Sequence, residues 1–118
     1  PFAPSLLYES KDEYLRNGFE SPYMIMTDGI PEEKHEEVPG IVHADGTARP
    51  QTVQREENQR YYELLKEFEK ITGTPVLLNT SFNVSGEPIV ESPKQAIADF
   101  YSTGLDALVI EDYLIRKN

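Results

Sequence analysis

At 118 residues the chain is long enough for one domain with a real core and too short for much more. Its 21 acidic against 11 basic residues give a net charge of -10, which argues against nucleic-acid backbone or an anionic membrane as a main partner. With no cysteine there is no disulfide framework, thiolate metal site or cysteine nucleophile. No apolar run approaches membrane-spanning length and no signal-type segment opens the chain, so a soluble, cytoplasmic protein is expected.

In chain order, Pro1-Phe2-Ala3-Pro4 reads as an extended segment, and the start without methionine suggests a fragment of a longer protein. Ser10-Lys11-Asp12-Glu13 has the capping-box pattern and Gly18 can stop the short helix it would open, with Leu7, Tyr14 and Phe19 as apolar partners. Ser21 to Thr27, nearly continuous in Tyr23, Met24, Ile25 and Met26, predicts a strand buried on both faces, with Asp28-Gly29 as the turn after it. The charged run Pro31 to Glu37 lacks periodicity and predicts a solvated loop. His35 within it has no companion at metal-ligand spacing.

Val38 to Val53 carries the first candidate chemistry. Asp45-Gly46 marks a tight turn between two short extended runs and gathers His43, Asp45, Thr47 and Arg49 in one neighbourhood, alternation placing them on one face. Arg49 presents a planar fork suited to phosphate or carboxylate. An ordinary salt bridge in so acidic a chain explains it equally well. His43 could act as a general base, or simply be packed or hydrogen-bonded.

Tyr61, Leu64, Leu65, Phe68 and Ile71 recur at helical spacing from Asn58 to Ile71, opposite Lys66, Glu67 and Lys70, and Gly73 ends the helix. The strand Val76 to Leu78 then breaks into Asn79, Thr80, Ser81 and Asn83, with a Ser85-Gly86 turn. Loops delivered by a rigid strand are frequent ligand sites. These side chains offer donors and acceptors without charge, which suits a polar, partly anionic ligand such as a nucleotide, and Gly86 would let backbone come close. The same residues are also ordinary turn formers. Ser92-Pro93-Lys94-Gln95 combines a cap, a proline at the first helical position and a capping-box glutamine, opening a helix with Ala96, Ile97, Phe100 and Tyr101 inward and Gly104 at its end. Ala107 to Ile110 and Tyr113 to Arg116 predict a hairpin turning at Glu111-Asp112.

Taken together, Pro1-Phe2-Ala3-Pro4, Asp45-Gly46-Thr47-Ala48-Arg49 with Gln51-Thr52-Val53, Leu77-Leu78-Asn79-Thr80-Ser81-Phe82-Asn83 with Gly86-Glu87-Pro88-Ile89, and Thr103-Gly104-Leu105-Asp106-Ala107-Leu108 resemble the C-terminal part of the carbamoyltransferase family that includes nodulation and antibiotic O-carbamoyltransferases. Thr80-Ser81-Phe82-Asn83 followed by Ser85-Gly86-Glu87-Pro88 also resembles the Thr-Ser-Ala-Asn motif of YrdC-like domains.

The resemblance implies a partial YrdC-like α/β (α+β) module that makes carbamoyl adenylate from ATP, with Mg, and carbamoyl phosphate. A separate Kae1-like domain of the same parent chain, holding the transfer-site metal, would pass the carbamoyl group to a hydroxyl. Arg49 and Ser81 are implied as contacts to the ATP phosphates or the adenylate, facing one hollow, with His43, Asn79, Thr80, Asn83 and Gly86 around the nucleotide. Family members carry further basic motifs upstream of Pro-Phe-Ala-Pro that this sequence lacks, so the isolated piece is expected to fold but not to catalyse. Two alternatives stand beside this. One is a hydrolase using Ser81, His43 and Asp45, against which the lack of a Gly-x-Ser-x-Gly elbow counts. The other is a non-catalytic nucleotide-binding or docking module, distinguished by ATP binding.

The expected sheet is mixed, with Tyr23 to Thr27, Val76 to Leu78 and the C-terminal hairpin sharing one surface under both helices.

Overall fold

A computed structural model describes residues 2–118. They fall into two compact units, the first ending at Thr80 and the second spanning Ser81–Asn118. Helices with one mixed and two antiparallel sheets make the fold α+β.

The first unit is built on β1 (Ala3–Leu7), which lies between β4 (Gln51–Val53), parallel to it, and β5 (Val76–Asn79), antiparallel. Paired residues share a face. Leu6 and Val76 therefore point to one side, where they meet Tyr14, Leu15, Ile30, Val38, Ile41 and Ala48. Leu7, Val53 and Leu77 point to the other side, under Leu65 of α2 (Gln59–Thr72).

Helix α2 starts and stops where its sequence says it should. Asn58 Oδ1 accepts the Tyr61 N–H at 3.1 Å, and Gly73 takes the left-handed conformation, φ 79°, that closes a helix at low cost. Its inward face is narrower than its apolar pattern: Leu65 is fully buried, whereas Leu64 and Ile71 are 55% and 83% exposed. Three strands do not cover the whole stripe.

Several expectations are corrected in this unit. Ser21 to Thr27 forms no strand. At its start the backbone of Ser21 hooks onto β4, its N–H donating to Thr52 Oγ1 (2.8 Å) and its carbonyl accepting the Thr52 N–H (2.9 Å). Pro22 then has no N–H to continue a ladder and Met24 turns left-handed at φ 57°. Tyr23 and Ile25 end up 77% and 81% exposed. Asp28–Gly29 is not a free turn but β2, paired antiparallel with β3 (Thr47–Ala48). Ser10 is not a cap: it is itself helical, closing a 3-10 turn over Tyr8–Ser10, and its side chain caps nothing. The following α1 (Lys11–Tyr14) ends well before Gly18, a left-handed turn residue pressed against Asp12. Of its expected partners Leu7 and Tyr14 are buried, but Phe19 is not.

The charged run is also more ordered than a solvated loop. Lys34 sits 4.5 Å over the Tyr14 ring and pairs with Glu13 and Glu37. Glu37 accepts from Tyr14, Lys34 and Thr74, and the Tyr14 hydroxyl above all holds its carboxyl below the ordinary range. Burial, then the Glu37 bond, pushes the Tyr14 hydroxyl well above its ordinary value of 10.0. A lowered carboxyl stabilises the fold above its unfolded value and loses that share as pH falls through the folded one. A raised tyrosine stabilises below its unfolded value and loses its share as pH rises past it. The melting temperature should thus hold from above the carboxylate range up to about pH 10 and fall on both sides. Glu37→Gln should flatten the acid-side fall; an unchanged acid-side slope in thermal melts would count against this cluster.

In the second unit, α3 (Pro93–Ser102) packs on the hairpin β6 (Ala107–Ile110) and β7 (Tyr113–Arg116). Ser92 Oγ accepts the Gln95 N–H (3.3 Å) while the Gln95 side chain accepts the Glu91 N–H (2.8 Å), so the helix start is as read. Ala96, Phe100 and Leu108 form the core; Ile97 and Tyr101, expected inside, are 38% and 59% exposed. The hairpin makes a sheet of its own rather than joining β5, and its buried residue, Leu108, packs on α3.

Candidate functional site

The Asp45-Gly46 turn is present. Gly46 is left-handed at φ 79° and its N–H bonds the His43 carbonyl at 2.9 Å, while the His43 N–H bonds the Thr47 carbonyl at 2.8 Å. Asp45 Oδ1 accepts from the Thr47 hydroxyl (2.7 Å) and the Thr47 N–H (3.0 Å), which hold its carboxyl below the ordinary range. Asp45 is thus committed to the turn and does not orient His43, whose ring is exposed. The His43–Asp45 half of a hydrolase constellation is not assembled.

Arg49 follows β3 and precedes buried Pro50 at the corner into β4. Ala48 before it is fully buried, so alternation turns Arg49 outward. It is exposed and makes no ion pair among the described residues. The salt-bridge reading of Arg49 is therefore not what the fold shows; the guanidinium is available.

One polar cluster crosses all three strands of the main sheet. On the α2 face, beyond the apolar stretch, Ser5 of β1, Gln51 of β4 and Asn79 of β5 converge. Ser5 Oγ donates to Gln51 Oε1 at 2.8 Å, and Asn79 Nδ2 donates to Gln51 Oε1 at 2.8 Å and Ser5 Oγ at 3.1 Å. Asn79 Nδ2 also lies 3.4 Å from Met24 Sδ, and Gln51 Nε2 reaches the Pro22 carbonyl at 3.4 Å. Ser5 is fully buried. Asn79 is the expected residue of this group. Ser5 and Gln51 were missed, although Ser5/Leu7, Gln51/Val53 and Leu77/Asn79 each show the same two-residue alternation that puts them on one face. Asn79→Asp replaces the shared donor by a carboxylate facing the Gln51 oxygen, and should destabilise this unit by about 1–3 kcal/mol. Chemical denaturation of the two proteins checks it, and equal midpoints would mean the cluster contributes nothing.

Past Asn79, Thr80 and Ser81 are exposed and make no hydrogen bond among the described residues. In the second unit, Asn83 braces its own loop, Nδ2 donating to the carbonyls of Val84 (3.1 Å) and Glu87 (3.2 Å). Gly86 is left-handed at φ 85° and a Cβ there would meet nothing within 4 Å, so the turn's conformation, not close approach, calls for glycine within this chain. The loop is anchored by Phe82 and Val90, joined through Val90 N–H to the Phe82 carbonyl (2.9 Å) and packed on the α3 core. Arg49 and Asn79 belong to the first unit, Ser81, Asn83 and Gly86 to the second.

Among the described residues no three His, Asp or Glu side chains are grouped to hold a metal ion. His35 Nε2 lies 2.9 Å from the Ile30 carbonyl, a structural contact. Among the described residues no helix is long and apolar enough to cross a membrane.

Residues 1–117 match the family described as Carbamoyltransferase C-terminus. The chain belongs to that family. Its relatives include nodulation protein NolNO of Sinorhizobium fredii, 46% identical over 120 residues, and nodulation protein NolO of Bradyrhizobium diazoefficiens, 45% identical over 120 residues. An uncharacterized protein of Methanocaldococcus jannaschii is 44% identical over 117 residues. In each case the match takes in 99% of this carbamoyltransferase C-terminal chain but only 18%, 22% and 23% of the relative, so the chain spans about a fifth of the length of these relatives. The family resemblance drawn from the Asp-Gly-Thr-Ala-Arg and Asn-Thr-Ser-Phe-Asn stretches is thereby shown.

Proposed function

We propose that this chain is the part of an O-carbamoyltransferase that handles ATP and the carbamoyl group, activating carbamoyl phosphate to carbamoyl adenylate for transfer to a hydroxyl acceptor. Membership of the carbamoyltransferase C-terminal family along residues 1–117 carries this reading. The side-chain inventory agrees with it: an outward Arg49 without an ion pair among the described residues, and an exposed, uncharged Thr80–Ser81 pair after a strand end held by the Ser5–Gln51–Asn79 cluster.

In adenylate formation a carbamate oxygen, left when carbamoyl phosphate gives up its phosphate to water, bonds to the α-phosphorus of ATP as the bond to pyrophosphate breaks. Negative charge builds on phosphate oxygens, and positioning with fixed donors lowers that barrier without a protein nucleophile. In this reading Arg49 supplies the cation and Ser81 a hydroxyl donor. His43, Asn79 and Thr80 lie around the nucleotide, while Asn83 and Gly86 shape the loop. Mg would accompany the ATP phosphates and screen their charge in so acidic a chain. The acceptor hydroxyl and the transfer step belong to a Kae1-like part of the longer protein.

The test is calorimetric titration of ATP, together with pyrophosphate release on adding carbamoyl phosphate, in a family-length protein containing this region. Carbamoyl transfer that proceeds at full rate without ATP would overturn the proposal.

A further inference from the structure

The main sheet is capped at one point of its β4 edge and open along its β5 edge. Along the outer edge of β4, Ser21 takes up the Thr52 N–H. Along β5 nothing does the same among the described residues. The Leu7 N–H bonds the Pro75 carbonyl at 3.3 Å, and the antiparallel register continues through Ser5↔Leu77 and Ala3↔Asn79. Peptide groups alternate in direction along a strand, so those of Leu77 and Asn79 face β1 while those of Val76 and Leu78 face away. Among the described residues the outward N–H and C=O groups of Val76 and Leu78 have no partner.

These groups border an apolar groove of about 300 Å³. Val38 and Ile41 line it from the layer under one sheet face, Phe68 and Thr72 of α2 from the layer under the other, with Val76 and Leu78 between. Residues of opposite layers can meet only beyond the last strand, so the groove runs along the free edge of β5. Leu78 is 53% exposed in it. An open strand edge between two apolar walls fits an extended polypeptide: its peptide groups would complete the ladder and alternate side chains would fill the groove. The same addition would widen the sheet under α2, whose Leu64 and Ile71 three strands leave uncovered.

We propose that β5 pairs with a further strand, and that this strand comes from the family-length polypeptide outside these 118 residues. The matched region makes up only 18–23% of the relatives' length, so most of each relative's chain lies outside it. The proposal is independent of the ATP reading.

Amide hydrogen exchange tests it. In the 118-residue chain, Val76 and Leu78 should exchange freely while Leu77 and Asn79 are protected; in a family-length protein the amides equivalent to Val76 and Leu78 should slow at least about a hundredfold. Leu78→Pro takes away an outward N–H, which an edge strand tolerates, together with a side chain that is already 53% exposed. It should leave the melting temperature of the 118-residue chain unchanged and lower that of the family-length protein, whereas Leu77→Pro should lower both. Free exchange at both amides in the family-length protein would overturn the proposal. Protection that appears in the short chain together with a doubled mass would also overturn it, by making a second copy the occupant.

Discussion

Replacing Arg49 with alanine in a family-length protein is expected to cut ATP-dependent carbamoyl transfer roughly ten- to a hundredfold, the range a lost charge-assisted hydrogen bond implies. Arg49 is the outward cation at the β3–β4 corner, without an ion pair among the described residues. Among the described residues nothing pairs with its charge, so its removal should cost little stability and its effect should be confined to ligand. Lys66→Ala is the matched control. That half-buried side chain pairs with Glu69 at 2.8 Å and lies 3.8 Å from Glu9, and partly exposed pairs of this kind contribute about 0–1 kcal/mol. Steady-state rates of the two variants at saturating carbamoyl phosphate, across a range of ATP concentrations, separate the outcomes. Equal rates would remove Arg49 from the proposed site.

The same comparison of local and distant contacts explains what could be read from the residues. Signals that act within a turn or two were legible. Asn58 and Gly73 bound α2, Ser92 with Pro93 opens α3, and the 107–116 hairpin turns at Glu111-Asp112, with Glu111 left-handed at φ 51°. The unit of four, His43, Asp45, Thr47 and Arg49, was legible as a turn, but its inner wiring was not: Asp45 spends its carboxylate on Thr47. Tyr23 to Met26 misled because an apolar run signals burial only if something covers it, and Pro22 and Met24 break the strand that would have brought it inside. The Ser5–Gln51–Asn79 cluster was illegible for a different reason. Its partners are 46, 28 and 74 positions apart, and only the register of three strands brings them together. Arg49 and Ser81 were both singled out by type and position; that they serve one ligand remains the proposal, since each is fixed by its own unit.

Phe100→Ala should unfold the second unit while sparing the first. Phe100 is fully buried between Ala96 and Leu108, meets Tyr101 edge-on at 5.1 Å and lies under Lys117 Nζ at 4.8 Å. Truncating such a ring costs about 3–5 kcal/mol, and a unit of this size has little stability in reserve. The consequence for function runs through the loop. Phe82 and Val90, the two anchors of the Ser81–Gly86 segment, pack on this same core, so its loss frees the loop that presents Ser81. Hydrogen exchange should show Leu108 and Ile110 losing protection while Leu77 in β5 keeps it, and ATP affinity in the family-length protein should fall even though Phe100 touches no ligand in the proposed site. Lys66→Ala should change none of these readouts. Retained protection at Leu108 in the Phe100 variant would show that the hairpin holds without its core, and that the loop carrying Ser81 is fixed by something other than the packing of Phe82 and Val90.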